Sequence, residues 1–359
     1  MESTQTYPGQ NEAWTSDIRF ELPIKVGKEA EAARKPTTFI EEWKECLPKY
    51  GKLPAIAVKR NQEWKRWTYE EYYQENIKCA KSLLALNIPE FSSVSIIGFN
   101  APEWVIGWNG AVFARCIPVG VYSTNNQDVC EFIAKNSGTK MVIAENKELA
   151  SKFYKLLEQG SIEKIVLYDD EVGENNFGGK LMVWKDFIEL GSKVEEGKVE
   201  ERMAKITPSQ CCTLVYTSGT TGMPKGAMIS HDNITWNSKG PIDEPEMPGL
   251  KTISYLPLSH VAGLLIDIIS SVMGGSHVHF AEPTALKGTL MLTVKEVKPN
   301  IFFSVPRVWQ KIYSTIKQFE SGAGGFDGNA IKEAQKYGLA ESLKEMMMQP
   351  TSEEFKKAK

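Results

Sequence analysis

Nine consecutive residues, Thr217 to Lys225, hold four hydroxyl side chains, two glycines, a proline and a lysine. A polyphosphate needs many donors aimed inward from a small radius, and glycine lets the backbone curl so that successive N–H groups point the same way. Gly219 and Gly222 supply that freedom. Thr217, Ser218, Thr220 and Thr221 add hydroxyls that can donate to oxyanions or coordinate a magnesium ion, and Lys225 adds a point charge. Each charge-assisted hydrogen bond of this kind is worth about 1.5 to 3 kcal/mol, so several together could hold a triphosphate.

The elements that must position this loop read as strands. Cys211 to Tyr216 is short, apolar and rich in strand formers, and Gly226 to Ile229 has the same character. The loop therefore joins two strands. It is not a Walker A loop, because Pro224 stands where the second glycine of that motif belongs. A hydroxyl-rich hairpin without a ligand is the competing reading.

The segment YTSGTTGMPKG, Tyr216 to Gly226, resembles the AMP-binding signature of the adenylate-forming enzymes. SHDNITW at Ser230 to Trp236, SYLPLSHVAG at Ser254 to Gly263, ALKGTL at Ala285 to Leu290 and VKPNIFFSVPRVWQKI at Val297 to Ile312 resemble the bubblegum-type long-chain acyl-CoA synthetases within that family. The resemblance runs from near Pro36 to about Tyr313.

It implies ATP, magnesium and coenzyme A, with a long-chain fatty acid as the acid to be activated. A carboxylate attacks the α-phosphate of ATP to give acyl-AMP and pyrophosphate, and the coenzyme A thiol then displaces AMP. Oxide is a poor leaving group and AMP a better one. On the matching positions Thr217, Ser218, Gly219, Thr220, Thr221, Gly222, Met223, Pro224 and Lys225 would close over the phosphates, with Thr217 or a neighbouring hydroxyl sharing the magnesium. Lys225 would bind phosphate and is not the family's adenylation lysine. His260 and Gly263 would line the acyl-adenylate pocket, the competing reading for His260 being a helix cap.

Family members run to roughly twice this length. The downstream Tyr-Gly-x-Thr/Ser-Glu element, the ribose-binding aspartate, the hinge arginine and the mobile carboxyl-terminal domain with its lysine have no counterpart in the sequence, so no catalytic residue is assigned. The expectation is the amino-terminal half of a long-chain fatty acid–CoA ligase, inactive alone. The alternative is a non-catalytic descendant that binds a nucleotide, an acyl group or a protein partner.

Composition fits a globular protein of ordinary core content, with 42% hydrophobic and 24% charged residues over 359 positions. A net charge of −3 gives no electrostatic reason to expect nucleic acid as a partner. The six cysteines show no paired metal spacing, and no leader is recognisable before them, which reads as a reducing compartment. The localisation implied is cytoplasmic, with peripheral contact at the endoplasmic reticulum membrane. Trp104 to Tyr122 is apolar and long, but Asn109, Arg115 and Pro118 interrupt it, so a buried helix and strand are expected there and no transmembrane segment.

Along the chain, strand and helix patterns alternate, which predicts an α/β protein of two stacked βα subdomains with largely parallel sheets, forming an incomplete large amino-terminal domain. Residues 1–35 read as a flexible arm, 36–200 as the first subdomain, 201–320 as the AMP-binding subdomain and 321–359 as an irregular, partly helical tail. Thr37 is expected to cap a helix ended by Pro48, Thr68 and Glu71 to form a capping box, and Ile301 to Ser304 to be a strand. His277 and His279 share a strand face but lack a third metal ligand. GAGGFDG at Gly322 to Gly328 has aspartate where a dinucleotide fingerprint needs glycine. Asp267 falls inside an apolar helical pattern and pairs with a buried partner or faces the cleft.

Overall fold

A computed structural model describes residues 15–29, 33–217, 222–239 and 248–320, together with positions 336, 337, 341, 352 and 353. The irregular, partly helical tail expected at 321–359 lies outside the described residues, apart from those five positions. Chain contacts divide the molecule into Met1–Phe302 and Phe303–Lys359. In the second unit the main described element is the helix Pro306–Glu320, opening on the proline that suits a first helical turn.

Among its described residues the first unit holds eleven strands: β1 (Pro54–Arg60), β2 (Glu63–Thr68), β3 (Ser93–Ile97), β4 (Ile117–Val121), β5 (Thr139–Ala144), β6 (Lys164–Leu167), β7 (Leu181–Val183), β8 (Cys211–Thr217), β9 (Lys225–Ser230), β10 (Lys251–Ser254) and β11 (His277–Phe280). Seven form one sheet in the order β7-β6-β5-β3-β4-β8-β9, and four form another in the order β10-β11-β1-β2. Every pair in the first sheet is parallel except β8 with β9, and in the second only β1 with β2 is antiparallel. The α/β class with two mostly parallel sheets is therefore the observed fold. Both sheets draw strands from either side of the stretch between Ser192 and Pro208, which includes the helix Glu196–Met203.

Local chemistry explains the framework. Helix α1 (Phe39–Tyr50) is capped by Thr38, whose hydroxyl accepts from Glu41 N while the Glu41 carboxylate accepts from Thr38 N. This corrects the expectation of Thr37: a capping box needs Glu at the third helical position, and only Thr38 has one there. Pro48 does not end α1, which runs two residues further, because a proline in the last turn forfeits a single hydrogen bond. Helix α2 (Tyr69–Ala85) has the expected Thr68–Glu71 box.

Helix α3 (Pro102–Phe113) is buried along its whole length and leads to the equally buried β4, as the interrupted apolar run predicted. Its polar interruptions are satisfied. Asn109 accepts from Trp43 Nε1 (3.2 Å) and donates to Tyr72 Oη (2.7 Å) and Val105 O (2.8 Å). Arg115 pairs with Glu90 (2.7 Å) and Gln210 (3.0 Å). Among the described residues no helix is long and apolar enough to cross a membrane.

The expected strand at Ile301 to Ser304 is absent. Beside β10, Lys251 O accepts from Asn300 N (2.9 Å) and Ile301 N (3.2 Å), and Lys251 N donates to Asn300 Oδ1 (2.9 Å).

Candidate functional site

The hydroxyl-rich loop leaves β8 and returns as β9, so it joins two antiparallel strands at the edge of the seven-stranded sheet. Thr217 and Lys225 are register partners at the root of that hairpin, and both are exposed. A hydroxyl and an ammonium thus stand side by side where the loop opens. Gly222 has φ +98°, a conformation that L side chains rarely adopt. Met223 is exposed and Pro224 half-buried, while Ser218, Gly219, Thr220 and Thr221 lie outside the described residues.

The hairpin root is firmly seated. The Tyr216 hydroxyl donates to Asn136 Oδ1 (2.6 Å) at the end of helix α4 (Gln127–Ser137), and the ring lies under Gly226. A side chain at position 226 would meet the Tyr216 ring at 2.9 Å, so glycine is what lets the strands close there. Sequence reasoning missed Asn136, which carries no motif.

His260 is exposed and caps the short helix Val261–Leu264, its Nδ1 accepting from Ala262 N at 3.1 Å. With Nδ1 accepting, the ring carries its proton on Nε2. Gly263 is buried, and a Cβ there would meet Pro257 O at 2.5 Å and Leu256 O at 3.0 Å, so the helix packs against its own entry loop. The loop in turn rests on β4: a Cβ at Gly120 would lie 2.7 Å from Ser259 Cα.

Gly120 pairs with Val215 of β8, two residues before Thr217. With about 3.3 Å per residue and about 4.8 Å between strands, the Ser259–His260 loop and Thr217 stand on the order of 10 Å apart. Both lie at the carboxyl ends of neighbouring parallel strands, where ligands of open α/β sheets bind. Among the described residues no group of three His, Cys, Asp or Glu could hold a metal.

Asp267 sits in a π-helical stretch, Leu265–Ser270, that continues the His260-capped helix. Burial pushes its carboxyl up to about 7, opposed by a hydrogen bond from Ser254. Of the two alternatives the sequence left open for Asp267, a buried partner is the one the structure displays. Ser254 also accepts from Asn100 Nδ2 (2.8 Å), so the group extends to the end of β3. His277 and His279 are buried with ring centroids 4.0 Å apart. Burial holds them down at about 3 and about 4, with Arg66 and Lys251 acting in the same direction.

A family model described as AMP-binding enzyme matches residues 44–357. The chain belongs to the AMP-binding enzyme family. Within it, the long-chain-fatty-acid–CoA ligase ACSBG2 of Gallus gallus is 38% identical over 352 residues, covering 96% of this chain and 46% of that protein. The Homo sapiens ACSBG2 is 34% identical, covering 97% and 52%, and the Mus musculus ACSBG1 is 36% identical, covering 88% and 44%. These relatives are of the bubblegum type, and the chain spans about half their length. Among solved structures, the adenylation domain of a carboxylate reductase from Mycobacterium chelonae aligns with a TM-score of 0.69 at 18% identity, covering 85% of this chain and 52% of that one. A fatty acyl-adenylate ligase from L. pneumophila, solved with acyl adenylate and pyrophosphate, aligns with a TM-score of 0.57 at 19% identity, covering 74% and 44%. This AMP-binding family member therefore shares the fold of adenylate-forming amino-terminal domains.

Proposed function

We propose that this chain carries the ATP-gripping half of a long-chain fatty acid–CoA ligase. The observation that supports it most is the pairing of Thr217 with Lys225 at the mouth of the β8–β9 hairpin, one strand from the loop that bears His260. In this reading Thr217 to Lys225 close over the β and γ phosphates, and the Lys225 ammonium offsets charge developing on the departing pyrophosphate. Magnesium bound to those phosphates, with Thr217 as a protein ligand, supplies further charge neutralisation. His260 and Gly263 line the pocket for the acyl-adenylate, His260 offering its Nε2 proton. The fatty acid and coenzyme A are the acyl donor and acceptor, as in the names of the long-chain-fatty-acid–CoA ligases that the chain resembles. Its place of work is the cytoplasm, at the surface of membranes that supply the fatty acid.

The test separates gripping from turnover. Calorimetry of the 359-residue chain with ATP and magnesium is expected to show saturable binding, whereas palmitate-dependent exchange of pyrophosphate into ATP is expected to be absent, since the chain spans about half the relatives' length. Absence of ATP binding overturns the proposal, and robust exchange overturns the assignment of a partial site.

A further inference from the structure

One buried amide ties the two sheets to the His260 loop. Asn100 follows β3 at its carboxyl end and is 4% exposed. Its Nδ2 donates to Ser254 Oγ and to Leu256 O, each at 2.8 Å, and its Oδ1 accepts from Leu258 N at 3.3 Å. The residues it holds leave β10 of the four-stranded sheet, while Asn100 itself leaves β3 of the seven-stranded sheet. Ser254 is in turn the hydrogen-bond partner of the buried Asp267, and Ser259 sits directly against the bare backbone of Gly120.

We propose that Asn100 is the positioning residue that sets where His260 stands over the carboxyl ends of β3 and β4. The proposal rests on the reading of His260 as a wall of the acyl-adenylate pocket. An amide suits the task because it offers an acceptor and two donors from one planar group. Alanine leaves the Leu256 carbonyl and the Leu258 amide without their partner in a buried place, and aspartate sets a carboxylate oxygen against the Leu256 carbonyl. Since the His260 ring is bonded to Ala262 N two residues on, the ring goes where the loop goes.

The experiment uses hydrogen exchange and ligand binding on the whole chain. In the unmodified protein the Leu258 amide is expected to exchange at least about 100-fold more slowly than in an unstructured peptide, consistent with a buried hydrogen bond. Asn100→Ala should speed exchange at Leu258 by at least about tenfold while the amides of β4 keep their rates. It should also weaken binding of a sulfamate analogue of palmitoyl-adenylate by about tenfold while leaving ATP affinity unchanged, because the phosphate loop is held by other contacts. Ser254→Ala, which removes one of the three bonds, should act in the same direction and serves if Asn100→Ala does not fold. A Leu258 amide unprotected in the unmodified chain, exchange unaltered by the variants, or equal loss of both ligands overturns the proposal. If the unmodified chain binds neither ligand, the functional reading of the loop fails, and the Leu258 exchange alone decides the positioning role.

Discussion

Lys225 lies opposite Thr217 on a strand that brings no other cation to the loop's mouth among the described residues of β9. An ammonium acting on phosphate contributes as a charge-assisted hydrogen bond of about 1.5 to 3 kcal/mol, so Lys225→Ala should weaken ATP by about 10- to 100-fold. Calorimetric affinity within twofold of the unmodified chain removes Lys225 from the site. The residue is exposed, so the variant should keep the parent's urea midpoint. His260 shows how far one residue can be read from sequence, which left a pocket wall and a helix cap as competing roles. The structure displays the cap, with Nδ1 accepting from Ala262 N.

At the scale of elements, two glycines hold the site's supports in register. A methyl at Gly226 meets the Tyr216 ring at 2.9 Å and one at Gly120 meets Ser259 Cα at 2.7 Å, so both must push something aside. Overpacking of this kind costs about 1 to 3 kcal/mol. Gly226→Ala is expected to lower the urea midpoint accordingly and to weaken ATP, since the hairpin root is displaced. Gly120→Ala should show the same loss of stability with ATP affinity retained. Equal effects of the two on ATP would contradict the separation of hairpin and loop. Further from the site, Thr38→Ala removes the α1 cap and should cost about 1 kcal/mol in chemical denaturation. The sequence reading set that cap one residue early, at Thr37, although the spacing of Thr38 and Glu41 carries it, and the break at Ile301 was not legible, because whether a strand forms there depends on an edge supplied by distant residues.

Across the whole molecule, three buried histidines and one buried acid set the pH dependence. Burial brings His231 to about 3, partly opposed by Glu41, and holds His277 and His279 at about 3 and about 4. Each binds its proton less tightly folded than unfolded, so its stabilisation is complete above the ordinary 6.5 and is lost as pH falls through those values. Asp267 does the reverse: its contribution is complete below the ordinary 3.8 and is lost as pH rises through about 7. The melting temperature should climb between about pH 4 and 6.5, where the three histidines outweigh the opposing acid, and level off above about pH 7. In Asp267→Asn the climb should steepen. A profile level from pH 4 to 6.5 would sink the assignment of neutral, buried histidines.

The sequence by itself determined the class of fold and the hairpin that frames the loop. Strand-forming runs on both sides of a glycine- and hydroxyl-rich loop dictate a hairpin, and the alternation of periods dictates largely parallel sheets. These follow because local propensity, side-chain size and turn chemistry are properties of neighbouring residues. Only the tertiary structure decided that Asn100 joins Ser254 and Asp267 in one buried group behind His260, and that β1 pairs with β11, more than 200 residues later in the chain. Those outcomes rest on which buried polar groups find partners and which strand edges meet, quantities that exist only once the chain has closed on itself.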